Sequence, residues 1–188
     1  MAAELSTKES INFMMKYGRG LITIALTDEK FAELDFPQMM EKNELKHNSA
    51  YMLSADYEKI KNGVTAGERA LTIKKLLEVR QSKNNFRTPG HIFLDKALKG
   101  AVLKKASTVE VAVDLASLAG CDPSGVICEI LNVDGSLAKI AQLIEFSKKH
   151  DLKIITIEDI ISYRRETECY VVKKAEANLP TAYGDFRW

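Results

Sequence analysis

Cysteine is scarce in this chain. Its 188 residues hold three, Cys121, Cys128 and Cys169. An odd number at no metal-ligand spacing argues against a disulfide framework or a zinc ribbon, and reduced thiols in a cytoplasmic protein is the simpler expectation. Long apolar runs are missing too: nothing approaches the roughly 18 residues of a membrane helix. The opening Met1-Ala-Ala-Glu-Leu-Ser-Thr-Lys-Glu9 has no apolar core of signal-peptide type. Charge of one sign is absent as well, since Lys+Arg 27 against Asp+Glu 26 leaves a net +1. A near-neutral chain has no global field to draw it onto nucleic acid or anionic lipid. Lys104-Lys105 and Lys173-Lys174 lack interleaved aromatics and read as solvated faces, and His47 and His150 read as surface histidines. There is no nucleotide-binding glycine loop, serine triad or internal repeat. What is present, 46% hydrophobic and 28% charged residues, is ordinary for one folded domain.

Apolar periodicity and stop signals predict alternating helices and strands. Ser6 and Glu9 have capping-box spacing ahead of Ile11, Met14 and Met15, with Gly18 placed to end that helix. Gly20–Leu26 is a short β-branched run and predicts a buried strand. A short helix over Asp28–Leu34 and a strand over Ala50–Asp56 follow. Thr65 and Glu68 repeat the capping spacing before Ala70, Leu71, Leu76 and Leu77. Pro89-Gly90 predicts a turn with His91–Phe93 extended behind it. Ser107 and Glu110 cap a helix that Gly120 ends. Val126–Leu131 predicts a strand, Asp134-Gly135 a tight turn, Leu137–His150 an amphipathic helix, Lys153–Ile157 a strand and Ile157–Tyr163 a last helical turn or two. After Tyr163 the chain turns charged and lacks a closing element. The pattern implies an α/β or α+β layered domain.

Two side chains have the chemistry of proton transfer. His91 follows a Pro-Gly pair and precedes apolar residues, so its imidazole sits at the rim of a core, either as an acid–base group or as a satisfied half-buried histidine. Glu129 interrupts the apolar Val126-Ile-Cys-Glu-Ile-Leu131 and shares a strand face with Ile127 and Leu131. It is a carboxylate with a raised pKa if both faces are covered, or part of a solvated edge if they are not. Gly63-Val-Thr65 leads into a helix N-terminus, which can receive phosphate or simply be capped by Thr65. Arg69, one turn in, can reach an anion or a surface carboxylate.

Taken in order, several stretches resemble one family. Lys16-Tyr-Gly-Arg-Gly-Leu21, Gly63-Val-Thr-Ala-Gly-Glu-Arg-Ala-Leu-Thr-Ile73, Phe86-Arg-Thr-Pro-Gly-His-Ile-Phe93, Ala112-Val-Asp-Leu-Ala-Ser-Leu-Ala-Gly120, Cys128-Glu-Ile-Leu-Asn-Val-Asp-Gly135 and Lys153–Arg164 are similar to 3,4-dihydroxy-2-butanone 4-phosphate synthase, over about Ala3 to Arg164. The resemblance implies a single layered α/β (α+β) domain, residues 1–164, with a mixed sheet and surrounding helices. It implies conversion of ribulose 5-phosphate to dihydroxybutanone phosphate and formate, in riboflavin biosynthesis, by a magnesium-dependent homodimer with sites near the subunit interface. His91 and Glu129 match the family's two catalytic positions. Lys105, Ser107, Thr108, Val109 and Thr65 match or adjoin its substrate-binding positions. The tail, Tyr170–Arg187, resembles the opening of GTP cyclohydrolase II, so 165–188 is expected to be a linker and remnant of that start, with no second catalytic domain.

The departures from the family fall on the chemistry. The family's opening strand and acidic loop, which carries a magnesium-binding glutamate, would lie before Met1 and is expected to be missing. At the family's Arg-x-Gly-His-Thr-Glu motif this chain has Lys105-Ala-Ser-Thr-Val-Glu110, so Thr108 stands for the metal-binding histidine and Ser107 for the glycine before it. Lys105 keeps the charge of the arginine without its bidentate fork. Thr23 stands where a cysteine is common, and Leu94-Asp95 replaces Pro-Leu. Magnesium needs several hard ligands near octahedral geometry. The expectation is therefore a weakly active or inactive chain that holds no metal by itself, or a module that dimerises with itself or with a complete synthase. No nucleic-acid or membrane partner is expected.

Overall fold

The computed structural model describes residues 1–40, 50–78, 83–169 and 174–187. His47, Lys173 and the Tyr170–Lys173 start of the tail lie outside these.

The elements in chain order are α1 (Lys8–Phe13), β1 (Thr23–Leu26), α2 (Asp28–Leu34), β2 (Ala50–Tyr57), α3 (Ala66–Leu77), β3 (Phe86–Lys96), α4 (Thr108–Leu118), β4 (Gly125–Ile127), α5 (Ile140–His150), α6 (Ile157–Thr167), β5 (Asn178–Thr181) and β6 (Gly184–Arg187). A four-stranded sheet runs β2-β3-β1-β4. β1 is parallel to β3 and antiparallel to β4, and β2 is antiparallel to β3. The sheet is mixed, as expected.

Strand alternation sends side chains to two faces with different fates. Ile22, Ile24, Leu26, Met52, Ile92, Leu94 and Val126 join Ile11 of α1, Phe31 and Leu34 of α2 and Ala70, Ile73 and Leu76 of α3 in the main core. Each such large aliphatic chain contributes about 1.5–3 kcal/mol by leaving water. The other face is covered at one end, where Val109 and Val113 of α4 pack on Ala25, Ala97 and Ile127. Its remaining length, with Leu21, His91, Phe93 and Glu129 partly or fully exposed, has no helix over it among the described packing contacts. Two cavities of about 340 and 160 Å³ lie past the other end of β1, around Thr27, and neither is lined by His91 or Glu129.

Several expectations shift. The first helix is capped by Thr7 and Ser10, one residue later than Ser6 and Glu9. Pro89-Gly90 does not close a hairpin but lies within β3, where the pairing with β2 steps from Ala55↔Ile92 to Asp56↔Arg87 and residues 88–91 bulge out of the ladder. The amides of this bulge bond to side chains of β2 rather than to its backbone. β1 and β4 are shorter than their apolar runs, and α5 starts at Ile140 rather than Leu137. No strand forms over Lys153–Ile157. Ile154 and Ile155 stay half exposed and among the described residues no strand pairs with them, so the chain passes directly to the cap of α6 at Thr156. The tail closes in a hairpin, β5–β6, whose strands are exposed throughout.

Candidate functional site

β3 delivers His91 and a bulge fixes it. Gly90 is pressed so close to β2 that a Cβ there would collide with the Ala55 backbone, 2.6 Å from its carbonyl oxygen, and its N–H donates to Ser54 Oγ at 3.1 Å. The next residue turns onto Asp56: the His91 N–H donates to Asp56 Oδ1 at 3.0 Å, and His91 Nδ1 lies 2.6 Å from Asp56 Oδ2. Asp56 is buried while the imidazole is 40% exposed. A carboxylate on Nδ1 holds the proton there and leaves Nε2 as the ring's open nitrogen. The motif reading missed Asp56. The only signal was an aspartate closing an otherwise apolar strand, which also describes many strand ends.

Gly63 closes over this pair. Its φ is +79°, and a Cβ there would meet Asp56 Oδ2 and come within 2.5 Å of His91 Nδ1. Arg69 ties the same loop to β3, donating to Val64 O at 3.2 Å and to His91 O at 2.6 Å. Burial pushes the Arg69 guanidinium below its ordinary pKa, and the Asp56 charge opposes that shift. The amides ahead of α3 do not await an external phosphate, because the Glu68 carboxylate takes the Lys61, Asn62 and Gly63 N–H groups and the Thr65 hydroxyl. Capping is the reading the geometry favours for Thr65, which stands two residues from the dyad's cover.

Glu129 approaches from the opposite side. Its Oε2 accepts the Leu21 N–H at 2.9 Å, and its side chain is exposed rather than walled in. Thr23 pairs with Phe93 on one side and Ile127 on the other. The β1–β3 ladder ends there, two residues short of His91, and on the other side the register slips by one, to Arg19 opposite Ile130, so Glu129 reaches the Leu21 N–H from beyond the end of β4; Leu21 lies between the two segments that carry His91 and Glu129, on the open face. Two strand spacings put the two backbones about 10 Å apart. Tyr51, opposite Asp95, shares this face, with its ring 6.5 Å from Phe93. Burial first, then the charges of Asp95 and Glu129, raise its phenol pKa.

The Lys105–Val109 group anchors elsewhere along the face. Val109 packs with Ala25 and Ala97, and Glu110 accepts the Leu98 N–H at 3.3 Å. From the Ala25 level to the Leu21 level is four residues, about 13 Å of strand rise. Ser107 heads α4 without a side-chain bond to its backbone; its hydroxyl donates instead to Glu110 Oε2. Both Glu110 oxygens are thus engaged within the protein, and the side chain is 1% exposed. Thr108 is the first residue of α4 and brings a neutral hydroxyl to this end of the face. Among the described residues, no group of three or more His, Cys, Asp and Glu side chains is arranged to hold a metal ion. No described helix is long and apolar enough to cross a membrane.

Comparison with known proteins agrees with the fold. The sequence profile of the family described as 3,4-dihydroxy-2-butanone 4-phosphate synthase matches residues 1–163. The riboflavin biosynthesis protein RibBA of Bacillus mycoides is 45% identical over 98% of this chain, and that of Bacillus subtilis is also 45% identical over 98%. In both cases 46% of the relative is covered, so the chain spans about half the length of these relatives. A two-domain 3,4-dihydroxy-2-butanone 4-phosphate synthase of A. baumannii, RibBX, superposes with a TM-score of 0.88 at 38% identity over all of this chain and 55% of its own. A 3,4-dihydroxy-2-butanone 4-phosphate synthase in complex with two magnesium ions superposes at 0.83 with 34% identity, over 89% of this chain and 83% of its own.

Proposed function

This chain belongs to the 3,4-dihydroxy-2-butanone 4-phosphate synthase family, and on that footing we propose that its open sheet face takes ribulose 5-phosphate or a related sugar phosphate, with His91 and Glu129 as the proton-handling pair. What supports the reading is the placement of the two side chains on either side of β1: Glu129 accepts the Leu21 N–H, and His91, on β3, has its tautomer fixed by Asp56. Proton abstraction beside a ketone needs a base on one side of the carbon skeleton and a donor on the other. An imidazole and a carboxylate about 10 Å apart at the backbone leave room between them for a five-carbon sugar.

The second part of the proposal concerns rate. Ene-diolate intermediates call for electrostatic stabilisation, and a metal contributes several kcal/mol of it. With Thr108 at the family's histidine position and both Glu110 oxygens engaged internally, this chain alone should turn over on the order of a thousand-fold slower than an intact synthase, or not at all. An assay of the purified chain with ribulose 5-phosphate and Mg²⁺, followed by formate release, tests this. Turnover at ordinary enzyme rates overturns it. A magnesium titration by calorimetry checks the metal claim separately, with no saturable binding expected.

A second reading is a non-catalytic interaction module that dimerises with itself or with a complete synthase. It is favoured by α5, which buries none of its residues completely, and by the exposed apolar side chains Leu137, Ile140 and Ile144 at its start and Ile154 and Ile155 after it. Exposed large apolar side chains gathered on one patch mark an association surface. A strict monomer in light scattering, with no co-purification of an intact synthase, counts against it. In either case 1–164 is taken as the synthase-like domain and 165–188 as a linker leading into a GTP cyclohydrolase II-like start. The RibBA matches support this by extending over 98% of the chain, past residue 163 where the family profile ends.

A further inference from the structure

We propose that Glu68 is a positioning residue for His91, acting through the backbone of Gly63: its carboxylate gathers segment 61–63 into a fixed cover over the His91–Asp56 pair. The role rests on the proton-handling reading of His91 only for its functional meaning; the cover itself is a matter of geometry.

A carboxylate three residues into a helix ordinarily returns to the N-cap amide. Glu68 does more. Its Oε1 accepts from Lys61 N at 3.0 Å and Asn62 N at 3.1 Å, and its Oε2 accepts from Gly63 N at 3.2 Å and Thr65 Oγ1 at 2.9 Å. Helix α3 needs only the last of these partners, whose oxygen accepts the Glu68 N–H at 3.3 Å. The three loop amides lie ahead of the cap, and holding them gives α3 nothing. What they fix is Gly63, which is buried, left-handed and seated against Asp56 Oδ2 and His91 Nδ1. Arg69, the next residue, fastens the other side of the loop to the His91 carbonyl. Two consecutive side chains of α3 thus clamp one glycine onto one hydrogen bond. The clamp keeps water from the Nδ1 side of the ring, so that only the Nε2 side meets the open face.

The test follows the His91 Nδ1–H proton by NMR in the whole 188-residue chain. In the wild type a low-field imidazole proton in slow exchange with water is expected. Glu68→Gln keeps the shape but puts an amide donor against the Gly63 N–H or its neighbours, so the proton should exchange at least about ten-fold faster. Gly63→Ala should do the same by lifting the cover directly. Thr156→Val, which removes the cap of the distant α6, should cost stability and leave the exchange unchanged. Unaltered exchange in a folded Glu68→Gln or Gly63→Ala protein overturns the proposal. So does equal acceleration in Thr156→Val, which would make the effect one of general stability. The measurement needs no substrate, so a chain without synthase activity still answers it, and failure of the sugar-phosphate reading would show only in the formate assay.

Discussion

His91 Nδ1 and Asp56 Oδ2 stand 2.6 Å apart although 35 residues separate them in the chain. The pairing of β2 with β3 brings them together, and the bulge at Gly90 turns His91 toward the carboxylate. Asp56 makes two bonds to one residue, and it is buried where water cannot replace either. Replacing Asp56 by Ala should therefore cost about 3 kcal/mol in urea denaturation, because the His91 N–H loses its acceptor. Asp56→Asn keeps an acceptor for that amide and should cost less. Nitrogen-15 spectra of the imidazole should show the proton moving from Nδ1 toward Nε2 in Asp56→Ala.

Gly90→Ala should be among the more damaging single-methyl changes in the molecule. The added carbon would strike the Ala55 backbone, which is held by strand pairing and cannot swing aside as a side chain can. Overpacking of this kind costs about 1–3 kcal/mol. The check is a lowered denaturation midpoint together with changed amide shifts at Ala55 and Asp56.

Tyr51 reports on Glu129. Part of the upward push on its phenol pKa comes from that carboxylate, after the larger effect of burial. Glu129→Gln should lower the Tyr51 pKa without returning it to the ordinary value, as followed by phenolate absorbance against pH. No change would mean that the two side chains do not share the face.

Arg164 clasps α6 to α4. It donates to both Asp114 oxygens at 2.9 Å, to Glu168 and to Gly100 O, and Asp114 itself accepts the Val102 N–H. Its hydrogen bonds to Glu168, opposed by burial and helped by Asp114, hold the guanidinium pKa above its ordinary value. Arg164→Ala leaves a buried carboxylate without its cation and should cost about 3–5 kcal/mol. Replacing both Arg164 and Asp114 by apolar residues of similar volume should cost less than that single change.

The Glu68 clamp should persist to a pH below the ordinary carboxyl value. Its carboxyl pKa lies below the ordinary 4.5, chiefly through the Asn62 N–H and then the Thr65 hydroxyl. A depressed folded value means that the contribution is present above the unfolded pKa and is lost as pH falls through the folded one. The amide shifts of Lys61, Asn62 and Gly63 should move together, with a common midpoint below 4.5. A midpoint at or above it would mean the carboxylate does not hold them.

The amino-acid sequence by itself determined the layered α/β class and the family. It also placed helix α2 at Asp28–Leu34 and cap Thr65 ahead of α3, because amphipathic spacing and capping chemistry are local and survive any tertiary setting. It picked out His91 and Glu129 from residue type and motif. It could not reach Asp56, whose meaning depends on a strand partner 35 residues away. Nor could it reach the Glu68 clamp, since a capping-box spacing is the same whether the carboxylate takes one amide or gathers a loop. The apolar stretch at Lys153–Ile157 misled for the matching reason: β-character in a short run is only potential until a neighbouring strand lies close enough to bond it. Which polar groups share a face, which carboxylates are already occupied, and which helix covers which end of the sheet were decided by strand order and register, and those depend on long-range contacts that no local pattern encodes.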